Sequence, residues 1–288
     1  MRFSKSSFLG LVALLAPVAC QREPLPERSA EVALERVEAS QSAPAEKQPP
    51  RGEATPAILA RAKVAPPVAE REEPSACPDG MVLVEGEYCP EVQHECLRYL
   101  DPPGRYHEFR CAEYAKPRCL SKKRRSLRFC IDRDEYNQPG EVLPANHQSF
   151  THAEKACGQL GKRVCRESEW NFACEGEEMR PYPYGFQRDP SACNADRTDI
   201  VTPSGELRDL RAPADAFPRC VSPFGVRNLA GNLEEFVAMD GAGPPRPAMK
   251  GAYWQPSRNF CRANQTAHDR YYHGTETGFR CCADAESP

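Results

Sequence analysis

The chain has 288 residues, with 38 Lys and Arg against 41 Asp and Glu, for a formal net charge of −3. That near balance removes the electrostatic reason to expect a nucleic-acid partner. Its 15 cysteines argue against a reducing compartment, where so many thiols are rarely kept without a metal-binding spacing.

The N-terminus comes first. Arg2 and Lys5 give a positive start, residues 8–18 are uncharged and mostly apolar, and small residues lead to Cys20. This order reads as a secretion signal over residues 1–20, too short to stay in a bilayer as a spanning helix. Pro17-Val18-Ala19-Cys20 resembles a bacterial lipobox, whose cysteine is acylated and becomes the mature N-terminus. A Leu-like residue is usual where Pro17 stands, and the alternative is an ordinary cleaved signal with Cys20 incidental. The expected location is extracytoplasmic, anchored to a cell-envelope membrane (periplasm or cell surface) through lipid on Cys20.

Residues 21–75 contain no Cys, Phe, Tyr, Trp or His and are rich in Ala, Glu, Pro, Arg and Ser. Such a segment cannot bury enough apolar surface to offset its ordering entropy, and it reads as a disordered tether. Residues 76–288 are long enough for one domain with a core. All cysteines after Cys20 lie between Cys77 and Cys282, an even number with no C-x-x-C spacing. Structural disulfides are therefore expected in place of a zinc or dithiol redox motif.

Within that domain, Met81–Val84 and Arg128–Asp132 read as buried strands. Thr151 with Glu154 has capping-box spacing, which predicts a helix from Thr151 to about Leu160, ended by Gly161. A second helix is expected over Glu167–Cys174. Lys122-Lys123-Arg124-Arg125 reads as a solvated loop. Asp132, Asp134 and Glu135 read as turn-capping carboxylates more readily than as an acid–base cluster. His268 and His273 lie near Asp269 and Glu276, in what reads as a polar loop. Pro, Gly and Asn dominate the remainder. G-x-S-x-G, H-E-x-x-H and phosphate-loop motifs are absent from the sequence.

Four blocks, in order, resemble the formylglycine-generating enzyme (sulfatase-modifying factor) family. They are Phe129-Cys130-Ile131-Asp132-Arg133-Asp134-Glu135-Tyr136; Gly161-Lys162-Arg163-Val164 through Glu169-Trp170, followed by Tyr182-Pro183-Tyr184-Gly185; Pro223-Phe224-Gly225-Val226 into Gly231-Asn232-Leu233-Glu234-Glu235-Phe236; and Gly251-Ala252-Tyr253-Trp254 with Gly278-Phe279-Arg280-Cys281. The resemblance spans about residues 79–283. The fold it implies is α+β: a loop-rich, C-type-lectin-like, disulfide-stapled domain, here with a Cys-rich insertion at about residues 90–128.

The resemblance implies the pairs Cys157–Cys281 and Cys174–Cys261. It leaves Cys165 and Cys282 beside these bridges as a candidate pair, with Cys193 and Cys220 as a guess. The six cysteines from Cys77 to Cys130 are expected to pair among themselves. The family holds Cu(I) between two cysteines just after the block that corresponds to Gly251–Trp254. Here that stretch is Trp254-Gln255-Pro256-Ser257-Arg258-Asn259-Phe260, without a thiolate, so no copper is expected. Calcium is the better expectation, through Asn232, the Leu233 carbonyl and Glu235, with Glu234 standing where the family has an aromatic. A second calcium site would begin at Asn194 and Ala195, with Glu206 the nearest downstream acid. Asn232 simply holding its turn is the plainer alternative.

The functional expectation is a membrane-tethered, non-catalytic binding or scaffold module for a protein or glycan ligand. Tyr253, Trp254, Tyr271 and Tyr272 stand equally as contact residues or as core. The alternative is a formylglycine-generating or other thiol-oxidising enzyme with relocated catalytic residues. Cys281-Cys282 would then be the adjacent redox pair.

Overall fold

The computed structural model describes residues 76–286, so the expected signal segment, Cys20 and the tether lie outside the described residues. In chain order the elements are β1 (Met81–Tyr88), β2 (Val92–Gln93), β3 (Cys96–Tyr99), β4 (Cys111–Tyr114), β5 (Arg118–Cys119), β6 (Arg125–Asp132), α1 (Phe150–Gln159), β7 (Arg163–Val164), α2 (Glu167–Glu175), β8 (Glu234–Ala238), β9 (Pro247–Lys250), β10 (Asn264–Gln265), β11 (Thr277–Gly278) and β12 (Cys281–Asp284). Long irregular stretches separate them, so this is a loop-rich α+β domain.

The two runs read as strands are the start of β1 and the end of β6. They pair antiparallel from Met81 opposite Asp132 to Tyr88 opposite Arg125. One sheet has the order β1-β6-β12-β7 and is antiparallel throughout. The second has the order β10-β9-β8-β11, in which β8 and β11 run parallel. One apolar cluster gathers Val84, Phe129, Ile131, Trp170, Phe172, Leu229 and Val237. Another gathers Phe150, Val164, Phe236, Met249 and Phe279.

Helix α1 starts one residue earlier than its sequence signal. Its cap is Ser149, whose hydroxyl accepts from the His152 N–H at 3.2 Å. Thr151 does not cap: its hydroxyl donates to the Arg270 carbonyl at 3.1 Å, and Glu154 pairs with Arg270. A tertiary partner has taken both members of the apparent capping box. Helix α2 has no apolar stripe, because Ser168 to Glu175 are all buried. Its charged residues are tolerated inside because they are paired. Glu169 accepts two bonds of 2.7 Å from Arg163, and Glu175 pairs with Arg262.

The stretch between β1 and β6 forms two small ribbons, β2 with β5 and β3 with β4. Cys89–Cys119 and Cys96–Cys111 staple them, while Cys77–Cys130 ties the first described turn to β6. Three long-range bridges, Cys157–Cys281, Cys165–Cys282 and Cys174–Cys261, fasten the helical segment to the C-terminal segment. Cys193–Cys220 closes a loop between them. The neighbours Cys281 and Cys282 take different partners because successive strand side chains point to opposite faces. Cys281 enters one apolar cluster and Cys282 the other.

Candidate functional site

The four sequence blocks converge on one buried polar network. Its centre is the turn at Gly231 and Asn232, both with positive φ. The turn closes tightly on the Asn194 segment: a Cβ at Gly231 would lie 2.3 Å from the Asn194 carbonyl oxygen. Asn232 Nδ2 donates to Glu135 Oε2 at 2.6 Å, and the Leu233 N–H donates to Glu135 Oε1 at 3.0 Å. Asn232 Oδ1 accepts from Asn194 Nδ2 at 2.9 Å and from the Ala212 N–H at 2.8 Å. Glu135 is thus a clamp on a distant turn, unlike the local cap its sequence position suggested. Burial, and then the nearby Glu235 carboxylate, push its carboxyl well above the usual range.

Glu235 faces the opposite way from Glu234 along β8. Its carboxylate takes Arg280 Nη2 and Nε at 2.6 and 2.7 Å and the Trp170 indole N–H at 2.9 Å. Both charged side chains are 1% exposed. The remaining Arg280 donors reach the carbonyls of Asp132, Arg133 and Arg227. A fork-shaped cation with every donor placed is the arrangement that makes a buried charge tolerable.

These side chains do not fit calcium as they stand. Calcium takes six to eight oxygens, with carboxylates prominent among them. The Glu235 carboxylate is committed to Arg280 and Trp170, and Asn232 Oδ1 already accepts two N–H bonds. The buried side-chain oxygens without a hydrogen bond include Asn194 Oδ1 and Asn228 Oδ1, both from neutral amides, and Asp134 Oδ1, which lies 3.7 Å from Arg227. Glu206, the acid nearest the second expected site, is exposed on a turn with Thr202 and Ser204. Ala195 is buried beside Asn194, and its N–H donates to the Cys193 carbonyl. No cluster of three His, Cys, Asp or Glu that could hold a metal occurs among the described residues.

A second feature lies on the other face of β8. The parallel β8–β11 register sets Thr277 opposite Glu234, and the Glu234 N–H donates to the Glu276 carbonyl at 2.9 Å. Strand alternation sends Glu235 into the Arg280 network and Glu234 away from it. Glu234 and Glu276 line a cavity of about 270 Å³, together with Tyr253, Gln255, His268 and Tyr272. Tyr272 donates its hydroxyl to Glu276 Oε1 at 2.6 Å and stacks on His268 with ring centroids 3.6 Å apart. The Asp269 carboxylate shapes this loop by accepting from the Tyr271 and Tyr272 N–H groups. Burial, and then Glu276, push the Glu234 carboxyl up to about 7. Burial and the same two acids push the Tyr253 phenol up to about 12.

Gln255 is on the cavity wall, and no cysteine lines it. Cys261, a few residues on, is bonded to Cys174, and every cysteine among the described residues is in a disulfide. A neutral amide and oxidised sulfur are poor donors for Cu(I), so the residues present do not fit copper. Trp254 is core and fully buried, Tyr253 and Tyr272 border the cavity, and Tyr271 is 68% exposed. His273 faces His147 and stands outside the cavity lining. The Glu234–Glu276 pair was not legible in sequence, because a parallel strand pairing brings distant positions together. Its one sequence trace is the acid at position 234 where the resemblance would place an aromatic.

Residues 106–285 match the family of sulfatase-modifying factor enzyme 1-like domains. Two similar proteins are the formylglycine-generating enzyme of Bos taurus, 28% identical over 167 residues, and the inactive C-alpha-formylglycine-generating enzyme 2 of Mus musculus, 29% identical over 160 residues. These alignments cover 49% and 51% of this chain and 44% and 51% of the relatives, so the chain spans about half the length of the proteins it matches. Among solved structures, CarF aligns with a TM-score of 0.46 at 13% identity, covering 73% of this chain and 99% of that one.

Proposed function

The chain belongs to the family of sulfatase-modifying factor enzyme 1-like domains, and from that premise we propose that it is a non-catalytic binding or scaffold module, tethered to a membrane outside the cytoplasm. One observation carries the reading. The cavity presents glutamine where the family resemblance places a copper thiolate, and every described cysteine is oxidised in a bridge. Without a reduced thiol pair there is no soft site for Cu(I) and no sulfur free for exchange. The existence of a mammalian relative named inactive fits the same direction. Seven bridges in one domain also favour an oxidising compartment. The ligand on this reading is a protein or glycan met at the cell envelope.

Two measurements test it. Native protein, denatured without reduction, should show no titratable thiol beyond any at Cys20. A sulfatase-type cysteine peptide incubated with the copper-supplemented protein should remain unconverted by mass spectrometry. Aldehyde formation would overturn the reading in favour of a formylglycine-generating enzyme with relocated catalytic residues, the activity for which the Bos taurus relative is named. Separately, Cys20→Ser should release the protein from membranes, and full retention would refute the lipid anchor.

A further inference from the structure

The cavity beside β8 holds two carboxyl groups that pair with no cation among the described residues. The Glu234 carboxylate has no side-chain hydrogen bond and no ion pair, and Glu276 has only the Tyr272 hydroxyl. Elsewhere in the domain, buried acids have a cation or several hydrogen bonds: Glu235 pairs with Arg280, Glu175 with Arg262 and Glu169 with Arg163, while Glu135 accepts from Asn232 Nδ2 and the Leu233 N–H. The one cation on the cavity lining is Arg258, and it makes no ion pair with either acid. It is exposed, and its guanidinium lies over the Phe109 ring at 5.6 Å, towards the Cys-rich insertion. The wall also carries the aromatic rings of Tyr253, Tyr272 and His268 and the amide of Gln255, with small and apolar residues such as Ala252 and Met249 between them.

The backbone is also fitted to the Glu276 carboxylate. A Cβ at Gly274 would lie 2.3 Å from Glu276 Oε2, so the carboxylate folds back against this glycine and would have to move if a side chain were added there. The Gly274 N–H donates to Thr277 Oγ1, which in turn donates to the Gln148 carbonyl, so the loop is fixed from behind. A carboxylate pair inside an aromatic wall is the arrangement that recognises an organic cation. The acids supply the charge, and the ring faces supply the desolvated cation–π contact.

We propose that this cavity binds a ligand carrying a primary ammonium group on a short alkyl chain, with Glu234 and Glu276 as its counter-ions and Tyr253 and Tyr272 as its walls. The group belongs to a free amine or to a lysine side chain of a polypeptide. This inference rests on the reading of the domain as a binding module. The two fail separately: aldehyde formation sinks the module reading, and loss of ammonium selectivity sinks only this one.

The experiment is a titration of the full exported protein with n-butylammonium and with Nα-acetyl-lysine methylamide, followed by NMR of the cavity tyrosines. Nα-acetyl-norleucine methylamide is the uncharged control. Saturable binding with a Kd on the order of 1 mM or tighter is expected for at least one charged probe. The probe preferred identifies the source of the ammonium. Glu234→Gln and Glu276→Gln should each weaken binding on the order of tenfold. Gly274→Ala displaces the Glu276 carboxylate without removing its charge, so a weakening there keeps the test open if a glutamine variant misfolds. Binding should also weaken as pH falls through about 7, where Glu234 takes up a proton next to Glu276, His268, Arg258 and the two phenols. Equal binding of the norleucine control, no binding of either charged probe, or unchanged affinity in all three variants would overturn the proposal.

Discussion

Arg280 and Glu235 show what a buried charge requires in this domain. Each is 1% exposed; all five Arg280 N–H donors are placed, and both Glu235 carboxylate oxygens accept. Replacing one partner strands the other, which typically costs about 3–5 kcal/mol. Glu235→Ala is therefore expected to lower the urea unfolding free energy by that amount, and a loss under about 1 kcal/mol would show that Arg280 finds other compensation. Glu234, on the opposite face of the same strand, titrates with the reverse consequence. Its folded carboxyl is raised from 4.5 to about 7, so folding favours the protonated form. That contribution is complete below about pH 4.5 and is lost as pH rises through about 7. Compared with Glu234→Gln, the natural protein should lose stability between pH 5 and pH 8 in parallel urea titrations, and parallel curves would remove the shift.

At the scale of elements, α1 separates local signal from tertiary outcome. The sequence offers Thr151 and Glu154 as a capping box, but Arg270 engages both, and Ser149 caps the helix. Ser149→Ala should cost about 1 kcal/mol in thermal or chemical unfolding. Thr151→Ala, at an exposed position, should stay within about 0.5 kcal/mol. The reverse order of effects would restore the sequence-based cap. The apolar halves of β1 and β6, Met81–Val84 and Arg128–Asp132, were legible from their buried residues, whereas the polar halves, including Arg125 from the run read as a loop, are strand only through their pairing. The short strands β7, β10 and β11 were not legible, since two residues carry no periodicity and exist only through their partners.

At the scale of the molecule, few regular elements are held by cross-links of very different reach. Cys157–Cys281 spans 124 residues, whereas Cys96–Cys111 spans 15. Chain-entropy reasoning assigns the first about 5 kcal/mol and the second about 3 kcal/mol. Paired alanine replacement of Cys157 and Cys281 should therefore lower Tm more than the same treatment of Cys96 and Cys111. A larger loss from the insertion's bridge would mean that the ribbons, and not the long loops, limit stability. The long bridges also hold the segment bearing Gly274 and Glu276 against the helices, which fixes one wall of the cavity.

Composition and order of residues determined the disulfide-rich character of this chain, its family blocks and the lack of a thiolate pair after Trp254, because each depends on which residues are present and in what sequence. Tertiary structure decided which charges meet. Glu235 reached an arginine where calcium was expected, and Glu234 came to share a cavity with Glu276. Both outcomes follow from a strand that sends neighbouring side chains to opposite faces and from a parallel pairing between segments far apart in the chain.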